Sequence, residues 1–85
     1  MTVTLAPVRV ALGLRSAEGR LMFVDGELCA VLTQLDPDPA ADGMAGWVME
    51  AAFGSLYCQS APLFSDLVEA EAWLVTAVGR ARRLT

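Results

Sequence analysis

The side chains with chemistry to offer are ten carboxylates, two cysteines and six arginines, with no lysine and no histidine. Acid–base work by carboxylates needs two of them facing one substrate atom from opposite sides. Glu27 stands beside a turn, Glu50 lies in an apolar strand between Met49 and Ala51, and Glu69 and Glu71 fall on different faces of a helix. None pairs with another acid, and Glu50 is read as an outward-pointing strand carboxylate. A nucleophilic cysteine wants a neighbouring base and an electropositive setting. Cys29 and Cys58 have no basic residue close in sequence and are too far apart for a CxxC pair. Two thiolates are also too few for a structural zinc site. They are read as small buried hydrophobes, with a disulfide as the alternative if their strands pair. Asp36, Asp38 and Asp42 lack the remaining ligands of a calcium loop. The glycines show neither GxGxxG nor GxxxxGK[ST] spacing. No catalytic, cofactor-binding or metal residue is assigned, and independent catalysis is not expected.

The arginines offer one other chemistry, which is phosphate contact. Arg80, Arg82 and Arg83 form the densest basic group, with Arg9, Arg15 and Arg20 spread over the first strands. The chain nonetheless carries a net charge of −4, which opposes nucleic-acid binding. Three arginines at a helix C-terminus are accounted for by the helix dipole. A small nucleic-acid-binding regulator using these residues is therefore the alternative reading rather than the leading one.

The elements that must position these groups are legible in the patterning. Val8, Val10, Leu12 and Leu14 alternate with Arg9, Ala11, Gly13 and Arg15, the period of a strand with one solvated face. Ser16–Gly19 reads as a turn, and a second strand runs from Arg20 to Val24. Asp25-Gly26 is a strong type I′ hairpin signal, and a third strand follows from Glu27 to about Leu35. A two-residue turn fixes register. It sets Val24 opposite Glu27, Phe23 opposite Leu28, Met22 opposite Cys29 and Leu21 opposite Ala30. One face then carries Leu21, Phe23, Leu28, Ala30 and Leu32, expected to be the core side; the other carries Arg20, Met22, Val24, Glu27, Cys29, Val31 and Thr33.

Asp36–Gly43, with prolines at 37 and 39, reads as an exposed acidic loop. A fourth strand begins near Gly46, with Trp47, Met49, Ala51 and Phe53 on one face, and continues in extended form through Leu56, Tyr57 and Cys58. Asp66 and Glu69 have capping-box spacing. Leu67, Ala70, Leu74, Ala77, Val78 and Ala81 recur at helical spacing beyond them, with Trp73 on one flank and Val68 and Val75 on the other.

The resulting expectation is a single α+β domain over residues 1–85: an antiparallel meander of three to four strands with one C-terminal helix packed on one face. The chain is 55% hydrophobic and 19% charged, against about 45–50% and about 25% for ordinary domains. A thin core cannot hide that much apolar side chain, so a protein partner or a homodimer is expected. Met22, Val24, Cys29 and Val31 on the sheet face away from the helix, and Trp73 on the helix flank, are the candidate contacts. The N-terminus lacks a signal-peptide pattern, and no run approaches the ~18 apolar residues of a membrane helix. The composition suggests a GC-rich bacterial source, and a cytoplasmic location with reduced thiols is expected.

Overall fold

The computed structural model describes residues 1–35, 46–57 and 59–83. Strands β1 (Val3–Leu12), β2 (Arg15–Val24), β3 (Glu27–Leu35) and β4 (Gly46–Ala52) are followed by a short 3-10 turn (Gly54–Leu56) and the helix α1 (Leu67–Arg83). The strands form one antiparallel sheet in the order β1-β2-β3-β4, so the fold is an α+β meander closed by a C-terminal helix. The N-terminal strand belongs to the same sheet, which settles the choice between three strands and four. The acidic segment Asp36–Gly43 and Cys58 lie outside the described residues.

The first hairpin turns earlier than its composition suggests. Leu12 pairs with Arg15, so the loop is Gly13-Leu14, with Gly13 at φ 67° and Leu14 wholly exposed at the tip. Positive φ at the first central residue alone is the II′ pattern, and glycine serves it best. Ser16–Gly19 is consequently strand rather than turn. In the second hairpin Asp25 (φ 51°) and Gly26 (φ 85°) both adopt the left-handed conformation, as a type I′ turn requires.

Two bulges decide which side chains face the helix. After Phe23↔Leu28 the register shifts, so that Met22 pairs with Ala30 and Leu21 with Val31. Cys29 is the extra residue, and a bulge of this kind moves every later pair by one position. The face assignment that follows from the turn alone is therefore reversed on β2. Met22 and Val24, each 2% exposed, join Ala30 and Leu32 in the core, while Leu21 and Phe23 turn to the opposite face. A second shift lies between Val31 and Leu32, where Val31 pairs with Ala51 and Leu32 with Met49. Glu50 is the extra residue there. Trp47, Met49 and Ala52 share the core side, and Ala51 does not. Leu56, expected to be extended, is instead buried within the 3-10 turn.

The helix follows its sequence signals closely. Asp66 caps it by accepting the Glu69 N–H at 2.8 Å, and the Glu69 carboxylate accepts from the Ser65 N–H at 3.1 Å and from the Ser65 hydroxyl. Ala70, Leu74, Ala77 and Val78 are the buried stripe. Phe64 ties the helix entrance to β4: it exchanges backbone hydrogen bonds with Trp47 at 2.7 and 2.9 Å, and its ring meets Trp73 at 5.8 Å between centroids, tilted by 58°.

Candidate functional site

One helix covers one face of a sheet, and no described element covers the other. Strand alternation from the observed register places Ala6, Val8, Val10 and Leu12 of β1 on this helix-free face. Leu21 and Phe23 of β2, Leu28, Val31 and Leu35 of β3, and Val48 and Ala51 of β4 share it. Most are half-buried by one another rather than by an overlying layer. At the centre the backbone itself is tight. A Cβ on Gly19 would lie 2.7 Å from Val10 Cγ2 and from the Leu32 carbonyl oxygen, so the valines of β1 close over a position that only glycine can occupy.

Two charged residues share this face among the described residues. Arg15 follows the Gly13-Leu14 turn. The carboxylate of Glu50 accepts a hydrogen bond from the Thr33 hydroxyl at 2.9 Å. Thr33 is 1% exposed, and a buried hydroxyl without a partner is costly. The bulge at Glu50 thus aims the carboxylate at Thr33, a contact that alternation in the sequence does not reveal. It is a structural contact: among the described residues no second acid shares this face with Glu50.

The same strands are polar on their other side wherever the helix does not reach. Arg9 donates to the Ser16 hydroxyl at 2.8 Å. Arg20 bridges to Glu18 at 3.1 Å and lies 5.2 Å over the Trp47 ring. The distal half of the first hairpin is therefore amphipathic, with its apolar side turned away from the helix. No protein-family model, curated protein or solved structure matches the chain.

The sequence-derived candidates separate. Val31 lies on the helix-free face, half-buried. Met22 and Val24 are core residues and cannot contact a partner, because the Cys29 bulge turns them under the helix. Cys29 packs partly against the core, and its thiol donates to the Glu27 carbonyl at 3.5 Å. It borders a groove of about 430 Å³ lined by Val24 and Glu27 at the strand ends, Gly54 and Ser55 of the 3-10 turn, and Val78, Ala81 and Arg82 of α1. Trp73 is half-buried against Phe64 and so belongs with the core edge. A helix-free face is expected from the sequence, and Val31 lies on it, but its β2 residues are misassigned because Leu21-Met22-Phe23-Val24 is apolar at every position. The apolar alternation of Val8, Val10 and Leu12 was the signal that could have extended it to β1.

The arginines do not gather into one patch. Arg9 and Arg20 sit on the helix side of the sheet and Arg15 on the other. Arg80, Arg82 and Arg83 occupy the last turn of α1. Arg82 reaches the Asp25 carboxylate at 3.0 Å. Asp25 also accepts the Thr2 N–H at 2.8 Å, while the Thr2 carbonyl accepts the Asp25 N–H at 2.8 Å. One turn residue thus clasps the start of β1 and the end of α1. The hydrogen bond from the Thr2 backbone, followed by that from Arg82, holds the Asp25 carboxyl below the usual carboxylate range. A lowered native pKa adds stability that is complete above the unfolded-state value and is lost as pH falls through the native one. Asp25→Asn preserves the turn preference and removes the charge. The melting temperatures of wild type and variant should therefore differ at neutral pH and draw together as the pH falls below the ordinary carboxylate value of about 3.9. A constant gap across that range would contradict the clasp.

Among the described residues no group of three or more Cys, Asp or Glu is disposed to hold a metal ion. Among the described residues no helix is long and apolar enough to cross a membrane.

Proposed function

We propose that this protein is a non-catalytic interaction module whose working surface is the helix-free face of its sheet. The observation that carries the reading is the polarity of the β1–β2 hairpin. Past the reach of α1 its helix side bears Arg9, Ser16 and Glu18 with the small Ala11, whereas its opposite side bears Val8, Val10, Leu12 and Ala17, with Arg15 at the end beside the turn. A hairpin facing water on both sides needs no apolar face at all. One that keeps its apolar residues on the side without a helix is built to be covered there.

A photo-crosslinking amino acid at Val31 tests this in cells expressing the protein, with the same group at Val68 as the control. Val68 lies on the outer helix surface and is 77% exposed. Discrete protein adducts from position 31, and none of the same mass from position 68, are expected. Absence of any adduct at Val31, or identical adducts at both positions, would defeat the proposal.

A further inference from the structure

We infer that the occupant of the helix-free face is a second copy of this chain, packed sheet to sheet about a twofold axis; this rests on the interaction-surface reading above. Four features of the fold lead there.

The first is that strand addition is interrupted at both edges. In β1 the closing pair Leu12↔Arg15 of a two-residue hairpin exchanges hydrogen bonds, and such pairs alternate along the ladder. Pro7↔Arg20 therefore falls on the other phase, so the proline nitrogen faces the outer edge, where it offers no donor. At β4 the outward N–H and carbonyl of Trp47 are taken by Phe64, and the Glu50 bulge breaks the run beyond them. Such devices are how sheet edges avoid pairing with another chain. The face is then the more open approach for a partner.

The second is charge. The chain is strongly acidic, yet this face carries among its described residues one cation, Arg15, and one carboxylate, Glu50. A strongly acidic or basic partner finds no matching field here, whereas a copy of the same face does. An isologous contact repeats each pairing twice, and a face with so little net charge meets its own copy without like-charge repulsion.

The third is area. Strands of 10, 10, 9 and 7 residues, at about 3.3 Å per residue and about 4.8 Å between strands, project roughly 600 Å² of sheet. Side-chain relief raises this toward the ~800 Å² per partner of a standard interface. The fourth is economy of burial: face-to-face packing at about 10 Å covers both open faces with a single contact, leaving neither copy with an exposed apolar sheet.

The test is sedimentation equilibrium of the purified chain under reductant over a thousandfold concentration range. It is joined by a dilution series of methyl NMR spectra on the unsubstituted protein. The expected result is a monomer–dimer equilibrium, with a dimer of twice 9.0 kDa. Concentration-dependent shifts should centre on Leu21, Val31 and Val48 rather than on Val68 and Val75. Leu12→Arg, at the rim of the face, should weaken the dimer about tenfold or more, the effect of losing one well-packed contact. Val68→Asp should leave it unchanged. A monomer at every concentration overturns the second copy; if Val31 then crosslinks to a different protein, the interaction surface itself still stands. A dimer lost on Val68→Asp and kept on Leu12→Arg, or shifts confined to the helix, overturns the inference as well.

Discussion

Val24→Asp is expected to abolish the folded state, while Val31→Asp is expected to leave it intact. The two valines lie in adjacent strands and look equivalent in the sequence, yet Val24 is 2% exposed beneath α1 and Val31 faces away from it. At Val24 the substitution forfeits about 1.5–3 kcal/mol of apolar burial. It also leaves a carboxyl without a partner in the core, at a further cost of several kcal/mol. A domain of this size has about 4–13 kcal/mol in total, so little folded protein should remain. At Val31 the cost is that of a poor strand residue on a half-open face, about 1 kcal/mol, or a fall of about 4–8 °C in Tm. Thermal unfolding followed by circular dichroism separates the cases. A cooperative melt for Val24→Asp, or its loss for Val31→Asp, would show that the two faces had been assigned the wrong way round.

That contrast also shows where sequence reasoning succeeds here and where it stops. The helix is legible because its signals are local and agree: Asp66 and Glu69 at the start, the stripe through Leu74 and Val78, arginines at the end. Asp25-Gly26 is legible because positive φ at two successive positions admits few other residues. The Cys29 and Glu50 bulges are not legible. A bulge is a compromise among strands distant in sequence, and nothing at Leu28-Cys29-Ala30 distinguishes it from regular strand. One inserted residue reverses a face, so a correct turn and a correct strand still led to Met22 and Val24 on the wrong side. The turn at Gly13-Leu14 was hidden for a different reason. Leu14 continues the apolar alternation of β1, and Ser16–Gly19 has the more turn-like composition. The expectation of surplus apolar surface did not depend on any of these details, since it came from composition alone. What changed is its address, from Met22 and Val24 to Leu21, Phe23, Val31 and the valines of β1.

Phe64→Ala should be the most damaging truncation outside the sheet, and its consequence should extend past stability. The ring is 1% exposed and rests against Trp73, so its removal opens a cavity and deletes an aromatic contact, at a cost of about 3–5 kcal/mol. The backbone of Phe64 also holds the outer edge of β4 through Trp47, by two hydrogen bonds. The pairing is a single isolated bridge, and once the ring no longer anchors that segment it should fray before the sheet does. Fraying exposes the Trp47 donor and acceptor on an edge that is otherwise closed, and an open edge beside an apolar face is a template for pairing. The variant should therefore lose Tm and also aggregate from its folded state, with scattering that rises below the melting transition. Phe64→Leu, which keeps most of the buried volume, should recover solubility ahead of full stability. If Phe64→Ala melts early but stays clear of scattering until it unfolds, Phe64 is a core residue only, and the protection of β4 must come from the Glu50 bulge.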